Sequence, residues 1–107
     1  MVDTIDVTTL KQQLDSGHGQ VIDVREGWEF AQGHVPGASW IPMNQVPDNP
    51  DAFRADQPVF VICRSGNRSG QVVTWLAQRG IATINVSGGT ADWDAHGYPL
   101  ATETEKS

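Results

Sequence analysis

The chain of 107 residues is long enough for one domain and too short for two independent hydrophobic cores. Its net charge of −6 at pH 7 argues against a nucleic acid partner and against adsorption to an anionic membrane, because both require clustered Lys and Arg. With 38% hydrophobic residues, the composition is that of a soluble globular protein. A single domain is predicted over residues 1–107, with its core in about residues 5–100.

Short apolar segments alternate with helical patterns along the chain. Strands are predicted in four segments, at residues 20–24, 38–41, 59–63 and 83–86. Two longer helices are predicted, one from Thr8 or Thr9 as the N-cap to residue 16 before Gly17, and one over residues 69–79 before Gly80. Shorter helical turns are predicted at residues 27–31, 42–46 and 90–95, and residues 102–107 are expected to be disordered. The alternation predicts an α/β fold with a largely parallel central sheet and helices on both faces.

The only cysteine, Cys63, ends an apolar segment that is expected to be a central strand covered on both faces. One cysteine excludes an internal disulfide, and one cysteine with three scattered histidines lacks the spacing of a zinc site. The N-terminus has neither the basic start nor the apolar run of a signal peptide, and no apolar stretch approaches the roughly 20 residues that span a bilayer. The expected compartment is therefore the cytoplasm, where a single thiol stays reduced.

The segment that begins at Cys63 is expected to bind an anion. Its residues are Cys63, Arg64, Ser65, Gly66, Asn67, Arg68 and Ser69. All thirteen acidic residues of the chain lie outside residues 57–91, so the two arginines of the segment have no acidic neighbour in sequence. The small residues let the backbone curl, so that N–H groups converge at the start of the following helix. These donors and charges should hold Cys63 as a thiolate at neutral pH without a histidine base.

An inert buried cysteine is the alternative interpretation, since a lone cysteine after an apolar strand is more often a small core residue. The doubly basic turn that follows Cys63 favours the nucleophile, because a core cysteine does not need one.

Four segments, spread over about residues 5–100, form an ordered set of motifs. They are Val-Ile-Asp-Val-Arg-Glu-Gly-Trp-Glu-Phe at residues 21–30, Gly-His-Val-Pro-Gly-Ala at 33–38, the segment from Cys63 to Gly70, and Val-Ser-Gly-Gly-Thr-Ala-Asp-Trp at 86–93. Together they resemble the motifs of the single-domain rhodaneses, a family of sulfurtransferases. The resemblance implies the rhodanese-like α/β fold and the use of neither a metal nor an organic cofactor.

The resemblance also implies a persulfide mechanism. Cys63 would attack the outer sulfur of a small anionic donor such as thiosulfate, release sulfite and pass the sulfur to an acceptor, which is cyanide in an assay and a thiol or protein cysteine in the cell. Backbone N–H groups from Arg64 to Ser69 would stabilise the persulfide, and both arginines would neutralise the sulfonate of the donor. Arg68 stands nearer the following helix, so it is expected to be held more firmly and to face the donor.

Two other functions stay open at this point. The first is a binding module that keeps the fold without turnover, although such domains usually lack the cysteine that this chain retains. The second is a phosphatase or arsenate reductase on the same fold. Four residues separate Cys63 from Arg68, one fewer than in the related dual-specificity phosphatases, and the loop offers no acid to protonate a leaving alcohol.

Charged residues upstream are expected to support the fold. Asp23, Arg25 and Glu29 should form ion pairs and backbone hydrogen bonds that hold the turn after Val24. His34 lies between glycine and Val-Pro-Gly, which indicates a rigid turn and not a general base.

Glycines and tryptophans near the C-terminus are also expected to be structural. Gly88 and Gly89 should permit a tight turn into the last helical segment, and Trp93 should fill the core. Trp28 or Trp40 is expected to line the substrate pocket if any tryptophan does.

Overall fold

The computed structural model describes residues 3–102 as a five-stranded, entirely parallel sheet flanked by helices. The strands are β1 (Asp3–Ile5), β2 (Gln20–Asp23), β3 (Ser39–Trp40), β4 (Val59–Ile62) and β5 (Ile84–Val86). Their spatial order is β1-β5-β4-β2-β3, so β4 occupies the middle of the sheet. The predicted α/β fold with a parallel sheet is confirmed.

Residues 3–102 also form four α-helices and two 3₁₀ segments, which lie between the strands except for the last helix, which follows β5. The helices are α1 (Val7–Asp15), α2 (Gly27–Gln32), α3 (Asn67–Ala77) and α4 (Gly89–Ala95), and the 3₁₀ segments are Met43–Asp48 and Pro50–Phe53. None of the described helices is long and apolar enough to cross a membrane.

The central strand β4 is buried on both faces because its residues alternate between two hydrophobic clusters. On one face, Val59, Val61 and Cys63 pack with the apolar side of α3. On the other face, Phe60 and Ile62 pack with residues of α1 and α4, among them Leu10 and Trp93. The helices therefore cover both faces of the sheet, and Cys63 lies where its central strand ends.

Two details of the prediction are wrong. The strand β1 was not predicted, because Asp3, Thr4 and Ile5 show too little apolar character; it forms by parallel pairing with β5 at the edge of the sheet. The N-cap of α1 is Asp6, not Thr8 or Thr9, since its carboxylate accepts a hydrogen bond from the N–H of Thr9 at 2.8 Å.

The start of α3 also differs from the prediction. The helix begins at Asn67 and not at Ser69, so Arg68 lies within the helix. The predicted disorder of residues 102–107 falls, apart from Thr102, outside the described residues.

Candidate active site

Cys63 lies at the carboxyl edge of the sheet, directly after β4 and four residues before α3. Ligands of open parallel sheets bind at this edge, where the loops leave the strands. The segment from Cys63 to Ser69, named here the Cys63 loop, curls back so that its own donors surround the sulfur. The Cys63 side chain is 0% exposed.

Three hydrogen-bond donors converge on the Cys63 Sγ atom. The N–H of Gly66 donates at 3.1 Å, and the N–H and hydroxyl of Ser69 each lie at 3.3 Å. Burial opposes ionisation and is the largest single influence on the thiol. The hydrogen bonds from Ser69, Ser65 and Gly66 together outweigh burial, and the pKa of Cys63 lies below its ordinary value.

The backbone of the loop leaves further donors available. Gly66 has a φ of +98°, the left-handed conformation that glycine adopts without strain. The helix α3 then begins, and its first backbone bond runs from the N–H of Gly70 to the carbonyl of Gly66. The N–H groups of Asn67 and Arg68 have no hydrogen-bond acceptor among the described residues, as expected for a first helical turn. The loop therefore offers both bound and unused N–H donors next to one sulfur.

Asn85 of β5 joins the loop from the neighbouring strand. Its Oδ1 atom lies 2.5 Å from the Ser69 hydroxyl, and its Nδ2 donates to the carbonyl of Gly66 at 3.2 Å. Sequence reasoning missed Asn85, since nothing in its local pattern marks it as more than a polar residue in a short strand.

The start of α4 donates two backbone hydrogen bonds to the Cys63 loop. The N–H of Thr90 donates to the Cys63 carbonyl at 2.8 Å, and the N–H of Ala91 donates to the Arg64 carbonyl at 3.0 Å. A Cβ on Gly89 would stand 2.1 Å from the Cys63 oxygen. The sequence predicted a tight turn at Gly88 and Gly89, and both have a positive φ. It did not reveal that Gly89 has to be small so that the two segments can touch.

Five charged residues in or beside the loop are named here the charged collar: Asp23, Arg25, Glu29, Arg64 and Arg68. Arg68 is held firmly, but by a carboxylate: its two terminal nitrogens donate to the two oxygens of Glu29 at 2.8 and 3.0 Å. This pairing lowers the pKa of Glu29 to about 2 and raises that of Arg68. The expectation that Arg68 faces the donor stays a prediction, and its guanidinium is committed to Glu29 in this structure.

Asp23 and Arg25 form the second ion pair of the collar. Arg25 Nη2 lies 2.8 Å from Asp23 Oδ2, and both side chains are buried. The Asp23 carboxylate also accepts the N–H of Arg25 at 3.0 Å, and Arg25 Nη2 donates to the Gly33 carbonyl at 2.8 Å. These bonds hold the turn after Val24, as the sequence predicts. Glu29 contributes to the same region by accepting the N–H of Glu26 at 2.9 Å, which caps α2.

His34 is buried in a packed position. Its ring stacks on Phe30 with centroids 3.7 Å apart, and its Nδ1 lies 2.9 Å from the Phe30 carbonyl. Its backbone pairs with Ala101. Within residues 3–102, no three His, Cys, Asp or Glu side chains lie close enough together to hold a metal ion.

A cleft of about 440 Å³ opens beside the loop, with Arg64 and Trp28 in its lining. Trp28 is 66% exposed, and Arg64 is exposed without an ion pair among the described residues. Trp40 instead donates its indole N–H to the Arg25 carbonyl at 2.9 Å, and Trp93 is buried as predicted.

Comparisons with known proteins agree with the fold. A family model described as Rhodanese-like domain matches residues 6–96. A protein named Sulfurtransferase from Allochromatium vinosum is 37% identical over 102 residues, which cover 94% of this chain and 95% of that protein. Thiosulfate sulfurtransferase GlpE from Pseudomonas aeruginosa is 32% identical over 94 residues, which cover 87% of this chain and 84% of that protein.

A solved structure is similar over almost its whole length. The crystal structure of a rhodanese-like domain protein from Staphylococcus aureus has a TM-score of 0.85 to this chain at 36% identity. The match covers 95% of this chain and 99% of that chain.

Proposed function

This chain belongs to the family of rhodanese-like domains, and we propose that it is a sulfurtransferase that carries the outer sulfur of thiosulfate as a persulfide on Cys63. The observation that carries the proposal is the convergence of three hydrogen-bond donors on Cys63 Sγ, in a loop where two further N–H groups have no acceptor among the described residues.

The reaction has two displacement steps that balance in charge. The Cys63 thiolate attacks the outer sulfur of thiosulfate, a bond forms between the two sulfurs, and the bond to the sulfonate sulfur breaks so that sulfite leaves with the electron pair. The outer sulfur of the persulfide then carries the negative charge. An acceptor such as cyanide attacks that sulfur, forms thiocyanate and returns the Cys63 thiolate.

The loop stabilises both anions with different donors. In the free protein, the N–H groups of Gly66 and Ser69 donate to Sγ. In the persulfide the charge moves outward by one atom, towards the mouth of the loop. The unused N–H groups of Asn67 and Arg68 are the donors that remain for it, and the N-terminal end of α3 favours negative charge there.

Arg64 is the residue proposed to meet the sulfonate of the donor. It is exposed, lines the cleft beside the loop and has no carboxylate partner among the described residues. The Cys63 side chain is 0% exposed, so binding of the sulfonate by Arg64 would hold the donor at the loop while its outer sulfur reaches Sγ.

The test compares the protein with the Cys63→Ser variant. The parent should form thiocyanate from thiosulfate and cyanide, and thiosulfate alone should add the mass of one sulfur atom to the intact chain. Cys63→Ser should do neither while keeping the thermal unfolding midpoint of the parent, since a hydroxyl is a smaller group of similar shape. A parent protein that gains no sulfur, or a Cys63→Ser variant that still forms thiocyanate, would refute the proposal.

An assay with a phosphate ester tests the alternative that the protein is a phosphatase. Hydrolysis of para-nitrophenyl phosphate that depends on Cys63, in a protein that takes no sulfur from thiosulfate, would replace the sulfurtransferase assignment with a phosphatase.

A further inference from the structure

The Ser69 hydroxyl stands between two acceptors. Its Oγ atom lies 3.3 Å from Cys63 Sγ and 2.5 Å from Asn85 Oδ1, and the residue is completely buried. A hydroxyl carries one proton, so it cannot donate to both atoms at once. The two contacts therefore compete.

The orientation of the Asn85 amide makes the competition unavoidable. Its Nδ2 donates to the carbonyl of Gly66 at 3.2 Å. If the amide were turned over, its oxygen would face the Gly66 carbonyl, and two acceptors would meet without a proton between them. The Gly66 carbonyl thus keeps Oδ1 pointed at Ser69, and the loop that holds the sulfur also orients the competing acceptor.

We infer that Asn85 is a positioning residue for Cys63: its amide oxygen accepts the hydrogen bond of the Ser69 hydroxyl whenever the sulfur carries no negative charge, and that hydrogen bond turns to Sγ when it does. In the thiol form, Ser69 donates to Asn85, and its lone pairs accept the S–H of Cys63. In the thiolate form, the hydroxyl turns to the sulfur, because a charged acceptor binds a proton donor more strongly than an amide oxygen does.

Asn85 would have the same role during turnover, and this part of the inference rests on the proposed sulfur transfer. When the persulfide forms, Sγ becomes a bridging sulfur and the charge moves to the outer atom. The Ser69 hydroxyl then donates its hydrogen bond to Asn85 again. The hydroxyl can follow the charge in this way because an acceptor is always present on its other side, so that neither state leaves a buried hydroxyl proton without a partner.

Charged groups around the loop do not change in this exchange. They are Arg64 in the loop, Arg68 of α3 with Glu29 of α2, Asp23 at the end of β2 with Arg25 after it, and the exposed Asp92 and Asp94 of α4, while β4 and β5 contribute none. Variants at Ser69 and Asn85 leave all of them in place, so a shift in the titration of Cys63 reports on the hydrogen bonds.

A double-mutant cycle on Cys63 alkylation tests the inference. The rate of reaction with iodoacetamide is followed against pH in the parent, Ser69→Ala, Asn85→Ala and the combined variant. Ser69→Ala should raise the midpoint, because the thiolate loses a donor. Asn85→Ala should lower it by about 0.5 to 1 pH unit, because the hydroxyl no longer has a competing acceptor. In the Ser69→Ala background, Asn85→Ala should produce no such lowering.

Two further variants keep the result interpretable. Asn85→Val also removes the amide oxygen but retains a side chain suited to a strand, so it should lower the midpoint as Asn85→Ala does. Thr83→Val is the matched control, since Thr83 is buried directly before β5 and its Oγ1 has no hydrogen-bond partner within residues 3–102. That variant should leave the midpoint where it is in the parent.

The outcomes separate the inference from the proposed function. An equal shift on removing Asn85 in both Ser69 backgrounds, a raised or unmoved midpoint in Asn85→Ala and Asn85→Val, or the same shift in Thr83→Val would overturn the role of Asn85. None of these results depends on sulfur transfer, because alkylation requires only the thiol. Absence of thiocyanate formation, in turn, would refute the proposed function and leave the cycle intact.

Discussion

The sulfur of Cys63 is surrounded by uncharged donors, whereas in the charged collar farther from the sulfur four of the five residues neutralise one another. The inner donors are backbone N–H groups and one hydroxyl within 3.1 to 3.3 Å of Sγ. The outer residues form the pairs Arg68–Glu29 and Arg25–Asp23, which leaves the exposed Arg64.

The two regions therefore stabilise negative charge by different means. Short hydrogen bonds in a buried loop act on one atom and change little with salt. The single exposed arginine would, under the proposed function, attract the anionic donor from solution, and salt would screen that attraction. The sequence suggests two free positive charges beside the sulfur, but the structure leaves one, because Glu29 reaches Arg68 from another helix.

The largest expected effect comes from a substitution at the start of α4, which contacts the backbone of the Cys63 loop. In Gly89→Ala, the new Cβ would stand 2.1 Å from the Cys63 oxygen and 2.5 Å from the Arg64 oxygen. We expect a loss of unfolding free energy, measured by urea denaturation, together with a loss of sulfur transfer. Relief of this overlap should cost about 1 to 3 kcal/mol beyond the backbone strain at a positive φ.

Gly97→Ala is the control for that backbone strain. Gly97 has a φ of +74° with nothing within 4 Å of the added Cβ. The Gly97→Ala variant should lose about 1 kcal/mol of unfolding free energy and keep its sulfur-transfer activity. Equal effects of the two substitutions on stability and activity would mean that contact between α4 and the Cys63 loop is unimportant.

The next effect distinguishes the two arginines. Arg64→Ala should lower kcat/KM for thiosulfate about tenfold, because it removes the one collar charge that has no carboxylate partner. Arg68→Ala should lower it less, and the parent rate should fall as ionic strength rises. Thiosulfate should also be preferred to 3-mercaptopyruvate, since it holds more charge close to the transferred sulfur. A larger loss in Arg68→Ala would indicate that Arg68, and not Arg64, binds the donor. Rates that do not change with salt would indicate that both arginines are structural.

The smallest effect concerns the paired part of the collar. The pKa of Glu29 lies at about 2 in the folded protein, below its ordinary 4.5. A carboxyl whose pKa is depressed on folding stabilises the protein above its unfolded value and loses that contribution as pH falls through its folded value. Glu29→Gln should therefore cost about 1 to 2 kcal/mol at pH 7, less than the full shift implies because solvent screens Arg68, and the cost should shrink between about pH 4.5 and pH 2.

Asp51→Asn is the comparison for a pair in solvent. Asp51 and Arg54 form an ion pair at 3.2 Å, but the Asp51 side chain is 92% exposed. Its removal should change stability little at any pH. If Glu29→Gln behaves like Asp51→Asn in unfolding experiments across this pH range, the collar pair does not stabilise the fold.

Local patterns were enough to predict the central strand and the loop. The apolar run before Cys63 can be covered only from both faces, and it leads directly into small and basic residues and then a helical pattern. Strand, turn and helix are neighbours in sequence, so the cysteine and the donors of its loop could be identified together. The ion pair between Asp23 and Arg25 was predictable for the same reason, since the two residues are two positions apart.

Distant contacts could not be read in this way. β1 shows almost no local preference and exists because β5 offers it a parallel edge. Glu29 and Arg68 are 39 positions apart, and Asn85 is 16 positions from Ser69. Nothing near any of these residues in sequence indicates its partner.

The sequence by itself thus pointed to the sulfur that is proposed to react and to the kind of backbone that holds it, because both depend on residues that follow one another. Tertiary structure decided how much charge that atom feels and which groups share its donors, because the packing of α2, α4 and β5 around the loop brings Glu29, Gly89 and Asn85 to it.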